Sequence, residues 1–256
     1  MWNGRGLGAM QHVGEVTPDA TPPAGDAGQE FFPAAQVIRP IGYRAARVGD
    51  SVEIVRYICK AGGGLYEFLF DDLIPFVTAA GILAAGVAGE EYPISYRNCF
   101  IAFDTADNRV LGAANAFPAD ALGSESYQLV PRERQEHIRA MLELQDRGSL
   151  FLNALAVDDD SGHRGIGTKL LHWAQSRARA ARLPRLSLHV WADNANARRF
   201  YQKHGFVELA VANVAPHSRL GHCGGSILMS APVNDAVRDE EWHPLGSSGL
   251  DPLDTD

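Results

Sequence analysis

A chain of 256 residues, 46% apolar and 21% charged, has the length and composition of a globular protein with one sizeable core. It contains no apolar run long enough to cross a membrane and no signal-peptide-like apolar segment near Met1, so no membrane partner is expected. A formal net charge of -8 disfavours nucleic acid as a partner, while Cys59, Cys99 and Cys223 are too widely spaced for a zinc pattern and fit reduced thiols in the cytoplasm.

Residues 1–35 are rich in Gly, Pro, Ala and Thr, lack periodicity, and read as a flexible N-terminal arm. One domain is expected over residues 36–233, followed by an acidic flexible C-terminal tail over residues 234–256. Within the domain, Ile38 to Arg47 reads as a strand. Val48-Gly49-Asp50 then turns the chain into a helix with Val52, Val55, Ile58 and Cys59 at helical spacing. Leu65 to Ala88 is apolar and partly helical, interrupted by Pro75 and by glycines. Asn98–Phe103 and Val110–Ala114 are strand-like runs joined as a hairpin through Asp107-Asn108. Pro131 to Asp146 reads as one helix, with Pro131 near its start where a missing N–H costs little. The second half is sharper. Ser149–Val157 is a strongly apolar strand, Ile166–Ala181 a helix stopped before Pro184, Leu186–Trp191 a strand and Asn194–His204 a short helix. Phe206–Val211 and Ser226–Pro232 complete the strands of a mixed α/β domain.

The turn Gly162-His163-Arg164-Gly165-Ile166-Gly167 ends one of these strands and opens a helix. Main-chain N–H groups at a helix start, together with the positive end of its dipole, suit a phosphate; glycines let the oxygens approach, and Arg164 adds a cation. Two nucleotide motifs fit poorly. The dinucleotide fingerprint wants a third glycine where Leu170 stands. Gly162 and Gly167 have P-loop spacing, but Thr168-Lys169 reverse the required order, which leaves a P-loop-like phosphotransferase as a remote alternative.

Leu155-Ala156-Val157, followed by Arg164-Gly165-Ile166-Gly167-Thr168-Lys169-Leu170-Leu171, resembles the central strand, loop and helix of the GNAT family of N-acetyltransferases. Downstream, Asn194 to Phe206 follows that family's second pattern, N-x-x-A-x-x-x-Y-x-x-x-G-F. The resemblance runs in element order from about Val37 to Val233 and is sharp from Phe151 to Phe206. It departs at Gly162, where the family usually has Gln or Arg.

The resemblance implies an α/β fold with a mixed, mostly antiparallel central sheet, flanking helices and a splayed parallel strand pair. It also implies acetyl-CoA as co-substrate and no metal. Main-chain groups of Leu155, Ala156 and Val157 would hold the pantetheine arm in the manner of an added strand. His163, Arg164, Gly165, Ile166, Gly167 and Thr168 would surround the pyrophosphate, with Asn194 and Ala197 beside the arm. Tyr201 would be the acid that protonates the leaving thiolate. The implied activity is acetyl transfer to a primary amine of a small molecule, by direct attack in a ternary complex. A non-catalytic acyl-CoA-binding sensor or interaction module of the same fold is the alternative, and a homodimer is left open.

No general base is legible. Asn153 cannot take a proton, and His189 reads as a satisfied core histidine. Glu136 and Glu143 read as surface acids; Glu67, Asp71 and Asp72 either meet a cationic acceptor or face water. Tyr96 and Asn98 have no assigned place. Arg198 and Arg199 either reach a cofactor phosphate or are solvated charges. His217, His222 and Cys223 read as loop residues without metal-ligand spacing.

Overall fold

The structure, a computed structural model, describes residues 40–123, 129–162 and 164–233; the arm expected over residues 1–35 and the tail over 234–256 lie outside the described residues. Seven strands form one sheet: β1 (Ile41–Ala45), β2 (Cys99–Asp104), β3 (Val110–Pro118), β4 (Leu150–Val157), β5 (Arg185–Trp191), β6 (Val207–Ala212) and β7 (Ser226–Pro232). Their spatial order is β1-β2-β3-β4-β5-β7-β6. Every neighbouring pair is antiparallel except β4 with β5, so the mixed, mostly antiparallel sheet expected from the resemblance is the one found. The expected hairpin joins β2 and β3. Its turn has Asn108 at φ 59°, and the carboxylates of Asp104 and Asp107 accept from the N–H groups of Ala106 and Arg109.

Helices cover both faces. On one, α1 (Ser51–Gly62) buries Ile54, Val55 and Ile58 against Ile101, Ala113, Ala154 and Ala156, and α3 (Ala79–Ala88) adds Leu83 and Val87. On the other, α6 (Ile166–Ala180) buries Leu170, Leu171, Ala174 and Ala178 against Leu111, Leu150, Leu152 and Leu188. Each fully buried leucine of this stripe is worth about 1.5–3 kcal/mol, so the apolar spacing alone fixes which way α6 faces. Helix α1 stops at Gly63, whose left-handed φ of 58° lets its N–H return to Cys59 O at 3.1 Å. A second glycine, Gly64 at φ 91°, then starts α2 (Leu65–Phe70).

The single helix expected over Pro131–Asp146 is two, α4 (Arg132–His137) and α5 (Arg139–Glu143). They part at Ile138, which is fully buried in a cluster with Phe68, Val130 and Trp191. Packing against α2 overrides the helical pattern here, and Asp146 is left free of any helix.

One irregularity positions the site. Asn115 of β3 pairs with Ala154 and Ala116 with Leu152, so Asn153 is an extra residue in β4. A bulge of this kind reverses the in–out alternation of the strand. Before it, Leu150 and Leu152 face α6; after it, Ala154 and Ala156 face α1, while Leu155 and Val157 pack toward α6.

Candidate active site

Strands β4 and β5 touch only at Leu150↔Leu186 and Phe151↔Ser187, and from there they diverge. Strand β5 stays paired to β7 along its whole length and β4 to β3, so the divergence opens a wedge between two rigid halves of the sheet. A cavity of about 540 Å³ fills the wedge. Among the described residues no strand lies opposite the inner edge of β4 beyond Phe151, which so presents main-chain groups to the cavity as an edge strand would.

Helix α7 (Ala195–Lys203) closes the far side. Of the residues singled out in the sequence, Leu155, Ala156, Val157, Gly167, Asn194, Ala197 and Tyr201 line this one cavity. His163 lies outside the described residues. Arg164 and Gly165 are exposed; Ile166 is buried in the core and offers the loop only its main chain. The hydrogen-bond ladder of α6 begins with Lys169 N–H to Gly165 O at 3.1 Å. Helix geometry therefore leaves the N–H groups of Ile166, Gly167 and Thr168 directed out of its start. Gly165 caps that start at φ 76°, and a Cβ on Gly167 would stand 3.6–3.8 Å from Phe200 and Leu155. The start of α6 thus offers main-chain N–H donors and the positive end of a helix dipole, an arrangement that suits an anion.

Tyr201 is 8% exposed, flanked by the rings of Phe200 at 5.2 Å and Phe206 at 5.4 Å. Burial pushes its phenol well above the usual range. The Asn194 side chain accepts from Ala197 N–H at 3.1 Å and caps α7, fixing the helix that carries Tyr201.

His189 lines the same cavity but is not available as a base. Its Nε2 lies 2.8 Å from Leu144 O and its Nδ1 3.0 Å from Ser226 Oγ. The carbonyl can only accept, so Nε2 carries the proton and Nδ1 accepts from Ser226. Burial lowers its pKa further, against the opposing pull of Leu144 O.

The carboxylates of α2 and its following turn each have a neighbour within the chain. Asp71 accepts from Ala79 N–H at the start of α3, Asp72 pairs with Arg219 at 2.6 Å, and Glu67 is tucked beside Cys59. Glu136 and Glu143 are exposed. Arg198 grips Glu208 and Ala192 O, tying α7 to β6, and Arg199 bonds Asn196. Tyr96 bonds Glu90, while Asn98 accepts from Arg177.

Two residues of the site were not singled out in the sequence, and a third was read otherwise. Tyr66 of α2 enters the cavity and donates to Asn153 Oδ1 at 3.2 Å. Lys60 at the rim pairs with Asp159 at 2.7 Å. His222, read as a loop residue, is held by Asp193 at 2.8 Å and stacks on the cavity-lining Trp191 at 5.0 Å and 11°. Burial would raise the Asp193 pKa, but the Cys223 N–H and His222 bring it below the ordinary range. The run Gly62-Gly63-Gly64 was the available signal for Tyr66 and His222, because added side chains on Gly62 and Gly63 would strike those two rings.

Residues 88–206 match the model of the acetyltransferase (GNAT) family. The fold is similar to a crystal structure of an acetyltransferase, with a TM-score of 0.55 and 22% identity over 75% of this chain and 99% of that one. It is also similar to an N-acetyltransferase from Staphylococcus aureus Mu50, with a TM-score of 0.53 and 17% identity over 74% of this chain and 99% of that one. No curated protein matches. Among the described residues no helix is long and apolar enough to cross a membrane, and no group of three or more metal-ligating side chains is present. The wedge between β4 and β5 and the helix-start cradle both lie within the matched segment, so the part of the chain that is similar to the GNAT acetyltransferases, a family whose acyl donor is acetyl-CoA, is the part that forms the site.

Proposed function

We propose that the protein transfers an acetyl group from acetyl-CoA to a primary amine of a small molecule, by direct attack in a ternary complex. The observation that carries this reading is the convergence of Leu155–Val157, Gly167, Asn194 and Tyr201 on one cavity at the point where β4 and β5 part. The open edge of β4 would pair with the pantetheine arm, and the N–H groups of Ile166, Gly167 and Thr168 would take the pyrophosphate. The amine nitrogen attacks the thioester carbon, the C–S bond breaks, and the sulfur leaves with the bonding pair. Tyr201 O–H supplies the proton to that sulfur; the nitrogen, which enters as the neutral amine, gives up its surplus proton to solvent, and the phenolate regains one from there. A phenol kept protonated by burial is suited to this step, because it remains a donor throughout the neutral range. The cavity extends to Leu65 and Tyr66 of α2, and a concave site of this kind supports a compact acceptor over a folded protein surface.

Release of free thiol from acetyl-CoA in the presence of putrescine, alanine or kanamycin tests the reading. Amine-dependent thiol release with formation of the acetylated amine supports it. Binding of CoA without transfer to any amine favours the acyl-CoA sensor instead, and ATP binding without CoA binding favours the phosphotransferase.

A further inference from the structure

Leu155–Val157, Gly167, Asn194, Ala197 and Tyr201 mark the cofactor end of the cavity; what faces them is the wall on the α2 side. Its surface is largely carbon. Leu65, Met141 and Trp191 pack in one cluster, and Phe151 joins them at the apex where β4 and β5 part. Trp191 and Phe151 are 7% and 6% exposed, so packing fixes both rings. The polar side chains on this wall are engaged within the chain. The Trp191 indole donates to Gly62 O at 2.9 Å. His189 donates from Nε2 to Leu144 O and accepts at Nδ1 from Ser226, which occupies both ring nitrogens and the Ser226 proton. Asn153 stands in line between Asn115, to which it donates at 3.0 Å, and Tyr66, from which it accepts at 3.2 Å.

Charge is scarcer still. Among the described residues that line the cavity, the charged side chains are Lys60 and Asp159, and these two meet each other at 2.7 Å on the rim. The carboxylates of α2 and its following turn are not part of the lining. Glu67 lies beside Cys59, Asp71 accepts from Ala79 N–H, and Asp72 is held by Arg219. Apart from Asp159, no carboxylate among the described residues lines the cavity to receive an ammonium group.

A second ammonium, a carboxylate or a row of hydroxyls set against this wall would leave water without a matching partner in exchange. That is costly for a polar group and far more so for a charge. An alkyl or aryl body loses no hydrogen bond there and gains from apolar burial. The same surroundings favour the uncharged form of the reacting amine, which is the form that attacks. We infer that the acceptor is a monoamine with an apolar body, an alkylamine or arylalkylamine, and not a polyamine, an amino acid or an aminoglycoside. This rests on the reading of the cavity as an N-acetyltransferase site and narrows the substrate class of that site.

The test uses the full-length protein at saturating acetyl-CoA, with hexylamine and phenethylamine set against putrescine, alanine and kanamycin. Hexamethylenediamine is added because it differs from hexylamine only in its second ammonium group. The expected result is a kcat/KM for hexylamine at least about tenfold above that for the diamine, and a similar margin of hexylamine or phenethylamine over the three polar amines. Met141→Glu adds a carboxylate to the wall with little change in length. It is expected to lower the hexylamine-to-diamine ratio about tenfold while the KM for acetyl-CoA stays within about twofold. The wild-type ratio is measured first and decides the matter by itself where Met141→Glu fails to fold. If the wild type acetylates the diamine or the polar amines as well as it does hexylamine and phenethylamine, the inference falls while the N-acetyltransferase reading stands. An unmoved ratio in a Met141→Glu protein that keeps its acetyl-CoA KM also overturns it, because the acceptor would then not lie against this wall. If the wild type acetylates no amine, both fall.

Discussion

Arg185 holds the Asp146 carboxylate through Nε and Nη2, at 2.7 to 3.1 Å, beside the two residue pairs where β4 and β5 still meet. Ser230 of β7 donates to the same carboxylate at 2.8 Å, and the hydroxyls of Ser149 and Ser187 meet at 2.6 Å across the two strands. These contacts tie the apex of the wedge. The Arg185 hydrogen bonds, against burial, hold the Asp146 pKa below the ordinary carboxylate range. A depressed folded-state pKa gives stability that is fully present above about 3.8 and lost as pH falls further, through the lowered value. Asp146→Ala is expected to cost about 2–3 kcal/mol, the worth of a charge-assisted pair with its extra hydroxyl donor, and to weaken CoA binding by letting the strands slide. Urea denaturation and calorimetric titration with CoA check both, and an unchanged midpoint would remove the clamp from the account.

Tyr201→Phe leaves the core packing of α7 intact and removes the proposed proton donor. The expected loss in kcat is about a hundredfold, the lower end of what a positioned acid contributes, with CoA affinity within about twofold of the wild type. The wild-type rate has a second signature. Burial raises the phenol above its ordinary value of 10.0, so kcat should show no falling limb on the alkaline side up to that pH. A limb centred near 10 would mean that Tyr201 titrates as an exposed phenol and is not held as described.

The difference between what the sequence disclosed and what it hid follows from the range of the interactions involved. Gly165, Gly167, Asn194 and Tyr201 act through local geometry: a helix start, a helix cap, a fixed helical face. Such features recur as short patterns, and each is visible in the chain. The apolar spacing of Leu170, Leu171, Ala174 and Ala178 likewise orients α6 by itself, because the four fall on one helical face. Tyr66, Asn115 and Asn153 come from three separate elements, and their line depends on one bulged residue that strand periodicity does not mark. The pairing of Asp193 with His222 depends on a loop folding back over Trp191. The break at Ile138 is hidden because its cause, packing against Phe68, sits on another helix. Local chemistry is legible in the chain; contacts between distant segments are not.

Two glycines of the cradle separate backbone strain from ligand space. Gly165 has φ 76° with open space where a Cβ would go, so Gly165→Ala costs about 1 kcal/mol of stability through conformation alone. Gly167 has no such constraint, and a Cβ there makes ordinary contacts at 3.6–3.8 Å. Gly167→Ala is expected to keep the melting temperature and raise the KM for acetyl-CoA severalfold, by filling the space above the helix start. Thermal melts and acetyl-CoA kinetics on the two variants distinguish the cases. If both variants lose stability and keep their acetyl-CoA KM, the loop is a turn and not a phosphate cradle.

His189 gives a stability test that is independent of activity. It is half-buried with Nε2–H on Leu144 O and Nδ1 accepting from Ser226, an arrangement open only to the neutral ring. Burial lowers its folded-state pKa below 6.5, whereas the unfolded chain titrates near that value. The unfolded state therefore binds the extra proton first, and the stability contributed by His189 is fully present above about 6.5 and declines as pH falls below it. The wild-type urea midpoint is expected to drop between about pH 7.5 and 5.5. In His189→Gln, whose amide can still donate to Leu144 O but does not titrate, that drop should shrink even if overall stability is lower. Equal slopes in the two proteins would mean that the ring gains its proton in the folded state as readily as in the unfolded one. Burial would then not be holding it neutral, and His189 would return as a candidate for the general base.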